Sequence, residues 1–296
     1  MARSSKSPYK DCVAIVIEAT DIRYLALQKG RVARWGSVPL AAGLVNEGLI
    51  VNAMEVGRAL EGLFAKENLD RRRVVAAVCG LRSIPRLLTM PRLQASMMEA
   101  AISREAKREM PVSLENLYLS WQSLPSTGEQ QRIYLLGVPR DLVDAQYRTF
   151  QAAGIPLQAL DLKPLALVRA VSREEAVIVN LEQDMLDLIL VVDYLPAIMR
   201  TFTLNPSLSP LAKVDRLVSE LNQTLRFYND SHPTAPIEAN THICLTGRLL
   251  AQREAIERLR GAVDRPVERP LAPLPCPEDL PVPEYMVNLG LVMKAI

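Results

Sequence analysis

Apolar residues recur along the chain with two periods, and each period predicts an element. Continuous or alternating β-branched runs at 12–18, 22–28 and 32–38, with a turn at Lys29-Gly30, predict a three-strand meander. Asn52 stands where a helix N-cap belongs, and Val56, Leu60, Leu63 and Phe64 predict a helix reaching about residue 68. A buried-type strand at 74–79 follows Asp70-Arg71-Arg72-Arg73 and ends at Gly80. From Ala176 the order repeats: strands at 177–182, 186–192 and 197–204 with a turn at Asp193-Tyr194, then a helix carrying Val214, Leu217, Leu221, Leu225 and Tyr228. A strand at 242–246 and a helix at 249–259 complete the copy. Glu18 and Glu182 fall at the same point, just past the first strand of each meander. A duplicated meander, helix and strand predicts two related lobes.

Between the copies lies a block with its own pattern. It reads as a strand at 84–90, a helix at 94–109 with Met98, Ile102 and Ala106 on one face, and a hairpin of 117–124 and 132–138 around Ser126-Thr127-Gly128. A helix at 140–153, closed by Gly154 as C-cap, makes this a β-α-β-β-α subdomain. The seven prolines between 266 and 283 predict an extended connector before a last helix at 285–295. The expected domains are a first lobe (1–80 and 155–172), the inserted subdomain (81–154), a second, shortened lobe (173–268), and the connector with its helix (269–296).

Composition narrows the chemistry. Glycine contributes only 13 of 296 residues against 21 prolines, so loops that bring amides close to a phosphate are scarce. With 35 Lys and Arg against 33 Asp and Glu, the net charge of +2 creates no global field for nucleic acid, which is excluded as a partner. Any electrostatic partner must use a local patch. Ten basic residues against four acidic ones from Lys66 to Arg108 form one candidate, read either as a solvated face or as a surface near anionic lipid head groups or a membrane partner's tail. Cys12, Cys79, Cys244 and Cys276 stand singly, and His232 and His242 flank one loop, so no metal site or disulfide framework is expected and a reducing cytosol fits. The apolar run 13–17 is too short for a signal sequence, and 186–199 is broken by Asp187, Asp193 and Pro196, so a soluble cytoplasmic protein is expected. GxxxxGK[ST], GxSxG, HExxH and GxGxxG are all missing; Gly57 and Gly62 have the P-loop spacing but continue into Leu63-Phe64 of a helix. Cys79 and Cys244, at apolar strand ends, read as packed core thiols.

Several segments carry a family likeness through their order and spacing. They are Val75-Ala76-Ala77-Val78 leading into Ile84-Pro85-Arg86-Leu87-Leu88-Thr89-Met90-Pro91, and Met97-Met98-Glu99-Ala100-Ala101-Ile102-Ser103-Arg104-Glu105-Ala106 leading into Met110-Pro111-Val112-Ser113-Leu114-Glu115. Ala152-Ala153-Gly154-Ile155-Pro156-Leu157, Leu221-Asn222-Gln223-Thr224-Leu225-Arg226-Phe227-Tyr228 and Asn288-Leu289-Gly290-Leu291 extend it. With the duplicated meanders, the chain resembles the actin-like (ribonuclease H-like) ATPase superfamily and, within it, the PilM family of type IV pilus inner-membrane assembly proteins. The resemblance implies an α/β, duplicated bilobed fold with an inserted β-α-β-β-α subdomain and a reduced second lobe.

In that superfamily the first turn of each meander is a phosphate loop, Asp-x-Gly-Ser/Thr. Here Val16 stands at the aspartate position and Glu18 at the glycine position, and Asn180 and Glu182 hold the same positions in the second loop. The adenosine motif, a strand followed by Gly-Gly, reads Ile243-Cys244-Leu245-Thr246-Gly247-Arg248, with Arg248 at the second glycine. The segment 204–211 replaces a longer subdomain that helps enclose the base. Both cradles are expected to be acidic, so a nucleotide phosphate tail would meet a like charge from both lobes; unit charges about 4 Å apart repel by about 4 kcal/mol at an effective dielectric near 20, and a Cβ blocks close backbone approach. These departures predict a pseudo-ATPase with no cofactor, no metal and no catalytic residue. The competing arrangement is an altered nucleotide site rebuilt from Thr20, Asp21, Arg23 and Asp184.

The resemblance further implies a cytoplasmic scaffold. A groove between the first lobe and the inserted subdomain would take up the cytoplasmic N-terminal tail of a PilN-like single-pass membrane protein, holding the chain peripherally at the inner face of the membrane. Leu87, Leu88, Met90, Met97, Met98 and Ile102 lie on the elements expected to border it. Alternation puts Leu88 and Met90 on one face and Leu87 on the other, and Met98 shares a helix face with Ile102, so core packing competes with groove lining. Pilus motor ATPases and further copies of the chain remain open as partners. Two alternatives remain open as functions: the cytoplasmic component of a type II secretion platform, and an active actin-like ATPase.

Overall fold

The computed structural model describes residues 9–126 and 128–294, and the chain forms two compact units, one built from residues up to Gly80 and from Ala145 onward, the other from Leu81–Asp144. The first unit opens with the meander β1 (Cys12–Ile17), β2 (Asp21–Gln28) and β3 (Arg31–Pro39). A small hairpin, β4 (Val45–Asn46) and β5 (Leu49–Ile50), escaped the sequence pattern because its strands are two residues long. Asn52 accepts a hydrogen bond from the Glu55 amide at 3.1 Å and opens α1 (Ala53–Lys66), whose buried stripe is Val56, Leu60, Leu63 and Phe64. β6 (Val74–Val78) then runs parallel to β1.

The second unit contains β7 (Ile84–Pro91), α2 (Ala95–Glu109), β8 (Leu117–Leu124) and β9 (Gln130–Pro139). Its antiparallel sheet has the order β7-β9-β8 and packs Leu88, Met90, Ile133 and Leu135 against Ile102, Ala106 and Met110. Thr127, in the expected hairpin turn, lies outside the described residues. The chain returns through α3 (Arg140–Ala152), which starts in this unit and ends in the first.

Two unforeseen elements follow, β10 (Leu157–Leu162) and α4 (Lys163–Val171). The second meander is β11 (Ala176–Leu181), β12 (Met185–Val192) and β13 (Leu195–Thr203), which repeats β1 to β3 at a constant offset of 164 residues. Even the local irregularities coincide. The β2–β3 turn has positive φ at Lys29 and Gly30, the β12–β13 turn at Asp193 and Tyr194, and the register slips at Ala26/Leu27 and at Leu190/Val191. Ser209 caps α5 (Pro210–Ser231), and β14 (Ile243–Thr246) lies parallel to β11. The helix expected at 249–259 is a 3-10 turn, Leu249–Ala251, followed by α6 (Arg253–Arg260), because extended backbone at Gln252 interrupts it.

The proline connector is tied down at both ends. β15 (Val267–Glu268) adds to β14, the Pro275 carbonyl accepts from the Val32 amide at 2.9 Å, and Leu274 and Leu280 are buried. The last helix, α7 (Val282–Val292), begins three residues early because Pro283 is tolerated in a first helical turn; residue 295 lies outside the described residues.

The two five-stranded sheets have matching orders, β3-β2-β1-β6-β10 and β13-β12-β11-β14-β15. One face of the first carries Val13, Ile15 and Ile17 against α1; one face of the second carries Val177, Val179 and Leu181 against α5 and α6. Their other faces share a single core with α4 and α7, in which Ala14, Val16, Ile178 and Ile189 meet Ala166, Leu167, Met286 and Leu289. α7 is buried all round from Tyr285 to Val292, as a helix between two sheets must be. Its contact with α4 requires Gly290, where a Cβ would stand 1.9 Å from the Ala166 carbonyl oxygen. Gly290→Ala should therefore force the helices apart and cost about 3 kcal/mol in urea unfolding; an unchanged midpoint would contradict this contact.

Candidate functional site

Where the phosphate loops are expected, the two meanders turn in the same way. The Glu18 amide donates to the Asp21 carbonyl and the Glu182 amide to the Met185 carbonyl, both at 2.9 Å. Val16, one residue inward on β1, points into the shared core. Its counterpart Asn180 donates to Asp187 at 3.0 Å and accepts from the Thr246 hydroxyl at 3.1 Å.

Neither glutamate is the isolated negative charge that the sequence expectation set against a phosphate. Lys163 Nζ donates to Glu18 Oε2 at 2.6 Å with both groups buried. Lys163 opens α4, where the helix dipole disfavours a cation, so its ammonium depends on Glu18. Burial alone would lower the lysine pKa, but Glu18 outweighs it and holds the group above the ordinary lysine range. Burial pushes the Glu18 carboxyl up to about 7 against the pull of Lys163, with Glu182 adding to the rise.

Glu182 is met from the other sheet. Arg23, on β2 and 2% exposed, donates from Nη1 and Nη2 to its two oxygens at 2.8 and 2.7 Å, a bidentate fork across the lobes. The same guanidinium donates from Nε to Asp21 at 3.1 Å and from Nη1 to the Glu284 carbonyl at 3.1 Å. Arg248, at the second-glycine position, closes the cluster: Nη2 donates to Asp21 at 2.7 Å and Nε to Glu284 at 2.8 Å. Gly247 permits this turn, since a Cβ there would lie 2.5 Å from the Leu181 carbonyl oxygen and its φ is +90°. Thus Asp21 and Arg23 belong to this buried cluster.

Thr20, whose hydroxyl donates to Asp21 at 3.2 Å, and Asp184 lie on the wall of a cavity of about 670 Å³ that also touches Asn46, Glu47, Gln183 and Asn205. Among the described residues no lysine or arginine lines it. Burial raises the Asp184 carboxyl pKa above its ordinary value. Among the described residues no group of three or more His, Cys, Asp or Glu is placed to hold a metal ion, and no helix is long and apolar enough to cross a membrane. Cys79 and Cys244 are buried.

The six candidate partner residues all lie in the second unit. Leu88, Met90 and Ile102 belong to its core, and Met98 packs partly buried against it while its Sδ accepts from Gln131 at 3.1 Å. Leu87 and Met97 face solvent, 52% and 55% exposed. Sequence reasoning missed Lys163, Glu284 and Asp187 as members of the charged cluster. A helix-opening Lys-Pro pair was the one available signal for the first.

Removing one partner of a buried pair strands the other charge. Arg23→Met should cost about 3 to 5 kcal/mol in urea unfolding, and adding Glu182→Leu should recover most of it, since Asp21 keeps Arg248; additive losses would contradict the bridge. The pair is ionic only above about 7, where Glu18 loses its proton; because the folded Lys163 pKa is raised, the lysine's contribution persists up to about 10.5 and falls as pH rises from there through the folded value. Lys163→Met combined with Glu18→Leu should flatten that alkaline limb of stability against pH.

None of the curated proteins matches the sequence. Among solved structures, the PilM-PilN type IV pilus biogenesis complex matches over 96% of this chain and 98% of that one, at 20% identity and a TM-score of 0.78. The ethanolamine utilization protein EutJ from Carboxydothermus hydrogenoformans matches over 98% and 92%, at 12% identity and a TM-score of 0.58. The cytoplasmic domain of EpsL, an inner membrane component of the type II secretion system of Vibrio cholerae, matches over 97% of both chains, at 12% identity and 0.52. At these identities the likeness is one of fold, and with the duplicated sheets it makes the fold actin-like. The family described as type IV pilus assembly protein PilM matches residues 14–205, a span holding both phosphate-loop positions and the whole second unit. The chain therefore belongs to the type IV pilus assembly protein PilM family.

Proposed function

We propose that the chain is a non-catalytic scaffold of a type IV pilus assembly platform that binds the cytoplasmic N-terminal tail of a PilN-like single-pass membrane protein. That attachment holds it at the inner face of the membrane. The observation that carries the reading is the internal neutralisation of both phosphate-loop positions, Glu18 by Lys163 and Glu182 by Arg23. The cations that a polyphosphate would need are already engaged, and the turn amides of Glu18 and Glu182 are already bonded. The adjoining cavity is lined by Glu47 and Asp184 and, among the described residues, by no lysine or arginine. This donor set does not fit a nucleotide, so the scaffold works without a hydrolytic cycle.

For the tail, the reading uses the second unit. β7 is an edge strand, and Leu87 on it and Met97 on α2 are exposed apolar anchors. Leu88, Met90, Met98 and Ile102 fill the core between β7 and α2, so Leu87 faces the side of the strand away from that helix. An extended tail would add beside β7 and seat its apolar side chains on the anchors.

Pull-down of the full chain with the N-terminal tail of a candidate bitopic partner tests this. Retention is expected without nucleotide and unchanged by Mg-ATP, and Leu87→Glu with Met97→Glu should weaken it by more than about tenfold. Failure of the wild type to retain any such tail, or retention only with ATP, would remove the scaffold reading.

A further inference from the structure

The basic run between Lys66 and Arg108 separates in the fold: Arg71, Arg72 and Arg73 belong to the first unit, and Arg82 to Arg108 to the second. We propose that the end of the first sheet where β1 and β6 begin is a docking surface for an anionic lipid bilayer, with Arg73 at its centre. Two clefts, of about 150 and 180 Å³, share Cys12 and Arg73 as lining residues. Lys10, Gln158 and Lys294 line the smaller one, so three cations and an amide surround a space suited to one phosphate group. Arg34 and Arg72 line the larger one together with Asp11 and Asp70.

Of the carboxylates at this end, Asp70 and Asp161 are paired with cations, whereas Asp11 meets a backbone amide. Arg72 grips Asp70 with Nη2 at 2.8 Å and holds its carboxyl down at about 2; Asp11 accepts the Lys29 amide at 2.7 Å; Asp161 pairs with Arg169 at 2.8 Å and with Lys294 at 3.3 Å. Arg34 donates to the Asn68 carbonyl at 3.2 Å and to the Glu67 carbonyl, so like Asp11 it is held by backbone groups. Among the described residues Arg73 forms no ion pair and is exposed. The chain as a whole carries only +2, so this concentration of positive charge is local. Cations spread over two adjoining clefts match a surface of repeated phosphates better than a single soluble anion. Among the described residues no large apolar side chain is exposed between them, so the proposed contact is electrostatic adsorption without insertion.

The test is co-sedimentation of the full chain with vesicles of phosphatidylglycerol mixed into phosphatidylcholine and with vesicles of phosphatidylcholine alone. Binding is expected only to the first and should weaken steeply as salt rises. Each neutralised cation should lower the partition about fivefold, so Lys10→Gln with Arg73→Gln lowers it about 25-fold. Arg104→Gln with Lys107→Gln, on exposed positions of α2, should leave it unchanged. Equal binding to both vesicles, equal loss in both variant pairs, or insensitivity to salt in the wild type would overturn the proposal. Displacement by soluble glycerol phosphate at the head-group concentration would overturn it in favour of a small anion. The measurement uses no partner tail, so it stands or falls separately from the scaffold reading.

Discussion

Arg23 and Glu182 join the two sheets by a bidentate, water-excluded ion pair, and the arrangement of the surrounding charges follows from it. Once the guanidinium of Arg23 faces the second lobe, its Nε meets Asp21, and Asp21 in turn draws Arg248. Arg248 then meets Glu284 in the first turn of α7, where the helix dipole favours a carboxylate. On the other side Lys163 matches Glu18. The cluster contains the carboxyls of Glu18, Asp21, Glu182, Asp187 and Glu284 against the cations of Lys163, Arg23 and Arg248. Carboxyls therefore outnumber cations, which together with burial explains why Glu18 and Asp187 hold their protons more tightly than usual. A site with that balance has no positive charge to offer a phosphate.

Stability and specificity come from different places in this unit. The apolar core shared by α4, α7 and the inner sheet faces supplies the stabilising burial. Buried ion pairs add little net free energy over apolar replacements of the same shape, because desolvation offsets their attraction. What the bridge contributes is one relative placement of the two turns, since any displacement of the lobes separates Arg23 from Glu182. A body held by that bridge and by the close α4–α7 crossing at Gly290 presents a constant surface, which suits a scaffold that works without a hydrolytic cycle.

Much of the architecture was legible because the duplication is written in pattern: β-branched runs, matched turns and two glutamates at one register position. The elements between the copies were less so. Residues 157–171 are mostly apolar, and a short strand followed directly by a short buried helix has no clear period. The charged cluster was half legible. Glu18, Glu182 and Arg248 stood out as departures from a motif, whereas their partners are set by three-dimensional closure: Arg23 is 159 residues from Glu182, and Lys163 is 145 from Glu18. Two acidic turns read alone imply repulsion, and only the fold reveals the cations that cancel it. Arg23 carried a different expectation, as part of a rebuilt nucleotide site with Thr20, Asp21 and Asp184; the structure puts Asp21 and Arg23 in the cluster, and Thr20 and Asp184 on the cavity wall, with the Thr20 hydroxyl donating to Asp21.

The central claim is that these ion pairs have taken the place of a nucleotide. Calorimetric titration of the full chain with Mg-ATP measures this most directly. The account predicts no saturable heat of binding, whereas a magnesium-dependent isotherm of micromolar affinity would contradict it.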